Sequence, residues 1–180
     1  MSINLRLATS DDIPELRQLI EASVRGLSVT HYNARQIESA LVHVFGVDTQ
    51  LIDDGTYFVA EANGEIAGCG GWSRRRTLYG GDQMKAEADP LLDPVTDAAR
   101  IRAFFIHPRY ARRGIGTLII KACEDAAREA GFSRLELMAT LPGLPLYEAR
   151  GYTVIERVES VLPDGERLPL ARMEKRLAQG

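Results

Sequence analysis

The run FFIHPRYARRGIGT, from Phe104 to Thr117, restricts this chain more than any other feature. It closes a β-rich stretch, Ile101 to Ile106, which Pro108 stops. Beyond Gly114, apolar residues recur at helical spacing: Ile115, Leu118, Ile119, Ala122, Ala126 and Ala130. Lys121, Glu124, Asp125, Arg128 and Glu129 hold the opposite face, and Gly131 supplies the C-terminal stop. The reading is strand, short loop, glycine-rich start of an amphipathic helix. Gly114 and Gly116 let the backbone turn tightly with its N–H groups converging. The helix adds its positive end, and Arg112 and Arg113 add charge. Together these features make a nest for phosphate oxygens. The rival reading is a glycine-assisted turn with solvated arginines. The run is not a Walker A loop, because GxxxxGK[ST] is absent. It is not a dinucleotide fingerprint either, because the third glycine is missing.

Around this centre the period of the sequence changes several times. Ile3, Leu5 and Leu7 alternate with polar residues as in a half-buried strand. Thr9 to Asp12 offers helix caps, Pro14 fits a first turn, and Ile13, Leu16, Leu19, Ile20 and Val24 follow at helical spacing. A second helix is predicted over Ala34–Val44. Thr56 to Glu61, the Asn63-Gly64 turn and Ile66 to Ser73 predict a β-hairpin. Gly68, Gly70 and Gly71 on its return strand signal a bulge or a close backbone approach. Arg75 to Ala99 reads as a long loop, either a functional lid or a variable insertion. Leu135 to Ala139 predicts a strand, Leu144 to Arg150 a short helix closed by Gly151, and Tyr152 to Leu177 a second hairpin turning at Asp164-Gly165. Hairpins at both ends of one βαβ unit imply an α+β fold around a mixed sheet.

Length and composition narrow the function classes. A chain of 180 residues is expected to form a single domain, 1–180. Lys and Arg total 22 against 25 Asp and Glu, a net charge of -3, so no general polyanion binder is indicated. Cys69 and Cys123 lie far apart without CxxC spacing, which points to no disulfide framework, no cysteine-built metal site and a reducing compartment. The N-terminus carries no apolar targeting segment, and no run reaches the roughly 20 apolar residues of a membrane helix. A cytoplasmic protein without membrane contact is the expectation.

The glycine segment resembles the acyl-coenzyme A signature of the GNAT superfamily of N-acetyltransferases, Q/R-x-x-G-x-G/A after a strand. It aligns as Ala111-Arg112-Arg113-Gly114-Ile115-Gly116. Alanine stands where the family has glutamine or arginine, which removes one side chain and leaves the backbone N–H groups. A second match is Leu144 to Tyr152, LPLYEARGY, similar to the family's helix followed by a GF/GY pair. The resemblance covers nearly the whole chain. It implies a mostly antiparallel sheet flanked by helices, with a βαβ acyl-CoA-binding core. It implies acetyl-CoA as co-substrate, no metal, and direct transfer of the acetyl group to a primary amine of a small molecule or peptide. Tyr147 matches the tyrosine that faces the coenzyme sulfur and acts as general acid. A neutral phenol is a suitable donor to a departing thiolate. The backbone of Phe104, Phe105 and Ile106 would pair with the pantetheine arm where the strand splays from Leu135–Ala139. Arg112, Arg113, Gly114, Ile115, Gly116 and Thr117 would hold the pyrophosphate. Relatives are frequently homodimers, and the C-terminal hairpin offers a strand edge for one.

The acceptor side is less defined. Many relatives carry a glutamate on the strand before the glycine loop. This strand has Arg102 and no acid. Glu61, His107 and Asp82 are the alternatives for a base. His31, Tyr32 and Trp72 are candidates for the acceptor wall, and Tyr32 and Trp72 read equally as packing aromatics. Arg74, Arg75 and Arg76, with Arg100 and Arg102, read either as attraction for an acidic substrate or as a charged strand end. Two rivals to the enzyme remain: a non-catalytic acyl-CoA sensor on the same fold, and a nucleic-acid binder using the arginine runs. The net charge speaks against the second.

Overall fold

The computed structural model describes residues 1–85 and 89–178. The elements are β1 (Ile3–Leu7), α1 (Ile13–Leu27), α2 (Ala34–His43), α3 (Thr49–Asp53), β2 (Tyr57–Ala62) and β3 (Glu65–Ser73). There follow β4 (Ala99–Ile106), α4 (Ile115–Glu129), β5 (Arg134–Thr140), α5 (Leu144–Ala149), β6 (Thr153–Val161) and β7 (Arg167–Arg176). The strands form one seven-stranded sheet in the order β1-β2-β3-β4-β5-β7-β6. β4 and β5 are parallel, and every other neighbouring pair is antiparallel. The mixed α+β sheet read from the sequence is therefore present, with α3 as an added helix. Its short sequence, TQLID, carries too little periodicity to predict.

Each helix is placed by its apolar stripe. α1 begins where the Asp12 carboxylate accepts the Thr9 backbone N–H at 2.8 Å, and it buries Leu16, Leu19, Ile20 and Val24. These pack with α2 residues Ile37 and Ala40 on one face of the sheet. α4 buries Ile115, Ile119, Ile120, Cys123 and Ala127 on the other face, joined by Tyr147 of α5. The chain leaves α4 through Gly131 at a φ of 96°, a conformation that favours glycine. Among the long apolar residues of the predicted helices and strands, Leu7, Val42, Leu118, Val154, Ile155 and Val161 lie exposed.

The segment Arg75 to Ala99 is more ordered than a plain loop. Arg75 forms an isolated β-bridge with Leu91, and Asp82–Met84 make one 3-10 turn. Gly81 donates its N–H to Val44 and Asp82 its N–H to Val47. Residues 86–88 of this predicted loop lie outside the described residues.

Candidate active site

β4 and β5 pair only at Ala99–Leu135 and Arg100–Glu136, while β5 stays paired with β7 along its whole length. Beyond Arg100 the two parallel strands diverge. The β5-facing backbone edge of β4 past that point has no strand partner, and a wedge opens toward the helix start of α4. The sequence supplies the cause. β4 carries a bulge opposite Gly70, because Cys69 pairs with Phe105 and Gly71 with Arg102. Ala103 sits in the bulge at a φ of 54°, a conformation that costs a non-glycine residue about 1 kcal/mol. The Tyr57 hydroxyl holds it there by donating to the Ala103 carbonyl at 2.7 Å. The same hydroxyl lies 3.0 Å from the buried Cys69 sulfur.

The glycine row of β3 explains what fills the bulge. A Cβ on Gly70 would lie 2.5 Å from the Phe104 ring, so only glycine leaves room for it. Phe104 then meets Tyr147 edge to face, with ring centroids 6.2 Å apart. Tyr147 packs in turn on Tyr152 at 6.0 Å. Tyr147 is buried on α5 and lines the cleft between β4 and β5, together with Ile101, Ala103, Phe104, Leu137 and Thr140. Burial pushes its phenol up, so it stays protonated across the physiological range. Among the described residues its hydroxyl has no hydrogen-bond partner.

At the mouth of the wedge, Arg112 (φ 61°) and Gly114 (φ 82°) both take left-handed backbone, which turns successive N–H groups the same way. The first N–H groups of α4, on Ile115, Gly116 and Thr117, have no intrahelical acceptor. A Cβ on Gly114 would meet nothing within 4 Å, so the space in front of the turn is open. Gly116 serves packing as well: a Cβ there would lie 2.7 Å from Leu146 of α5. Arg112 and Arg113 are exposed, and the Arg113 guanidinium lies 5.9 Å from the Tyr110 ring centroid. These donors, this charge and this open space fit a polyphosphate. The unpartnered β4 edge fits an extended amide chain.

The other predicted residues are placed elsewhere. Tyr32 is buried away from the cleft. Its hydroxyl donates to the Pro169 carbonyl at 2.6 Å and accepts from the Leu141 N–H at 3.0 Å. Trp72 packs in the core against Phe132, with the Arg74 guanidinium over its ring. His31 is exposed beside Thr30. None of the three base candidates lines the cleft. Glu61 binds Arg6 at 2.5 Å on the outer strands. His107 Nδ1 accepts the Arg109 N–H. Asp82 accepts the Thr49 N–H. The arginine run is largely spent on partners. Arg75 grips Asp54 through two hydrogen bonds, and Arg100 faces Glu136 at 3.5 Å. Arg102 is buried, with Nη2 2.8 Å from Asp48 and 2.6 Å from the Gly80 carbonyl.

Sequence reasoning missed the residues that close the cleft. Phe45, Leu78, Tyr79 and Gly80 line it from the α2 end and the 75–85 segment. Phe45 directly follows the predicted second helix, and nothing in the sequence marked Leu78, Tyr79 or Gly80. Cys69 and Cys123 are buried, and burial pushes the Cys69 thiol up to about 12, which leaves no thiolate to act as a nucleophile. Among the described residues no group of three His, Cys, Asp or Glu stands in metal-binding proximity, and no helix is long and apolar enough to cross a membrane.

Comparison with known proteins agrees with this geometry. A family model described as the acetyltransferase (GNAT) family matches residues 19–152. A GCN5-related N-acetyltransferase from Rhodopseudomonas palustris superposes with a TM-score of 0.72 at 22% identity, covering 98% of this chain and 97% of its own. The PaiA N-acetyltransferase of Thermoplasma acidophilum, in complex with coenzyme A, gives 0.64 at 15% identity over 98% and 99%. YncA of Salmonella typhimurium, with its cofactor acetyl-CoA, gives 0.66 at 18% identity over 100% and 96%. No curated protein matches by sequence.

Proposed function

The chain belongs to the GNAT family of acetyltransferases, and we propose that it transfers acetyl from acetyl-CoA directly to a primary amine within the β4–β5 cleft. The observation that carries this reading is the divergence of β4 from β5 with Tyr147 set in the gap. Residues 1–180 act as one acetyltransferase domain. The N–H groups of Arg112 to Thr117 hold the pyrophosphate, with Arg112 and Arg113 adding charge. The backbone of Phe104, Phe105 and Ile106 pairs with the pantetheine arm as a strand edge pairs with an extended ligand. The thioester supplies an activated acetyl group. An N–H of the β4 bulge, at Phe104 or its neighbour, donates to the carbonyl oxygen as charge gathers there. Tyr147 protonates the departing sulfur. The buried cysteines support direct attack by the amine, without an acyl-enzyme.

The test is steady-state acetylation by the wild type and Tyr147→Phe, with acetyl-CoA affinity measured in parallel. Loss of the acid lowers kcat by about 10²–10⁴-fold and leaves acetyl-CoA affinity within a few fold. Unchanged kcat would remove Tyr147 from the mechanism. A second reading, a non-catalytic acyl-CoA sensor, draws on the lack of any carboxylate or histidine among the described cleft residues. It predicts binding without turnover. The exposed edge strand β6 supports the expectation of a homodimer, and the reduced cysteines support a cytoplasmic location. Sedimentation and fractionation test these two points.

A further inference from the structure

The acceptor end of the cleft is lined mainly by apolar side chains. Phe45 closes it from the end of α2, Leu78 and Tyr79 from the 75–85 segment, Phe105 from β4, Met138 from β5 and Leu170 from β7. Phe45 and Phe105 meet edge to face at 6.1 Å. Among the described lining residues there is no Asp, Glu, His, Lys or Arg, and the titratable side chains are Tyr79 and Tyr147. The Tyr79 hydroxyl is engaged with Ser160 at 3.1 Å. Charges do lie behind this wall, but they cancel. Arg102 and Lys85 both bind Asp48, at 2.8 and 2.7 Å, and Lys85 also lies 3.8 Å from Asp89. The Arg102 side chain is 1% exposed, so it presents no charge to an entering molecule.

Such a wall selects on charge. An ammonium entering it gives up hydration and finds no carboxylate among the described lining residues in return. An alkylamine of pKa near 10 is neutral in only about one molecule per thousand at pH 7. A carboxylate on the acceptor is equally unsupported. We propose that the acceptor is a small apolar amine that is uncharged near neutral pH, an aromatic amine in chemical class, packed against Phe45, Tyr79 and Phe105. The inference rests on the acetyl-transfer reading above. The new N–C bond forms as the C–S bond breaks, the nitrogen loses one proton and the sulfur gains one. Tyr147 delivers the proton to sulfur and recovers one from nitrogen, so no separate carboxylate base is required.

The experiment compares 4-methoxyaniline, spermidine, glutamate and an alanine-leading peptide as acceptors for the wild type, from pH 6 to 9. Acetyl-CoA affinity is measured by calorimetry alongside. The aromatic amine is expected to exceed the others at least tenfold in kcat/KM at pH 7, with a flat profile, because its own proton is already gone throughout this range. Phe45→Ser is expected to raise KM for the aromatic amine about tenfold while the acetyl-CoA Kd stays within twofold. Preference for spermidine, glutamate or the peptide overturns this inference and leaves acetyl transfer standing. Acetyl-CoA binding without transfer to any amine overturns both. An unchanged KM in Phe45→Ser removes this wall as the selective surface.

Discussion

A guanidinium as deeply buried as that of Arg102 loses several kcal/mol of hydration, which only close partners can return. Asp48 and the Gly80 carbonyl are those partners, at 2.8 and 2.6 Å, with the Thr77 carbonyl at 3.4 Å. The arrangement fastens the 77–80 segment to β4. Arg102 is thus a structural tie between β4, Asp48 and the 77–80 segment. Arg102→Met leaves Asp48 with Lys85 as its remaining cation and the Gly80 carbonyl without its donor, and lowers stability by about 1–3 kcal/mol, measured by urea denaturation. A loss under 1 kcal/mol would contradict the tie. The burial of this arginine was not read from the sequence, where Arg102 counted only as part of a basic cluster. Its partner was not legible, because Asp48 is 54 residues away along the chain.

At the scale of elements, the β4 bulge and the start of α1 depend on single hydrogen-bond donors or acceptors. Tyr57→Phe leaves the Ala103 carbonyl without its 2.7 Å donor. It should cost about 1–3 kcal/mol of stability, again read by denaturation, and it should also lower kcat because the bulge aims the β4 N–H groups. Asp12 caps the approach to α1 and grips Arg6 through two 2.8 Å bonds, and the Arg6 hydrogen bond is the main reason its carboxyl lies below the usual range. A depressed carboxyl contributes stability above the unfolded pKa and loses it as pH falls through the folded value. Asp12→Asn should therefore be less stable by about 0.5–1 kcal/mol at pH 7 and show a shallower loss below pH 4, followed by thermal melts from pH 2 to 7. An identical acid slope would exclude Asp12 as its source. These elements were well marked in the sequence: Pro14, the Asn63-Gly64 and Asp164-Gly165 turns and the amphipathic run after Gly114 all fall where predicted. The bulge was visible only as the glycines that accommodate it.

Over the whole molecule, one sheet separates two cores and opens along a single parallel seam. The Gly114 turn, the β4 edge and Tyr147 all sit on that seam because β4, α4, β5 and α5 are consecutive in the chain. This local order is why these features could be read together from the sequence. The far wall of the cleft is assembled from the end of α2, the 75–85 segment, β5 and β7, which are remote in sequence, while Tyr32 and Trp72 lie in the packed interior. The proposed coenzyme site places the pyrophosphate of acetyl-CoA at the Gly114 turn. Calorimetric titration of the wild type, Gly114→Asn and Gly114→Asp with acetyl-CoA tests this placement. Asn and Asp both tolerate left-handed backbone, and a Cβ at this position meets open space, so the two variants differ chiefly in charge. Binding by the wild type, near-wild-type affinity in Gly114→Asn and at least tenfold weaker binding in Gly114→Asp is the predicted result. Equal affinity in all three proteins would place the coenzyme elsewhere, and no binding by the folded wild type would contradict the account.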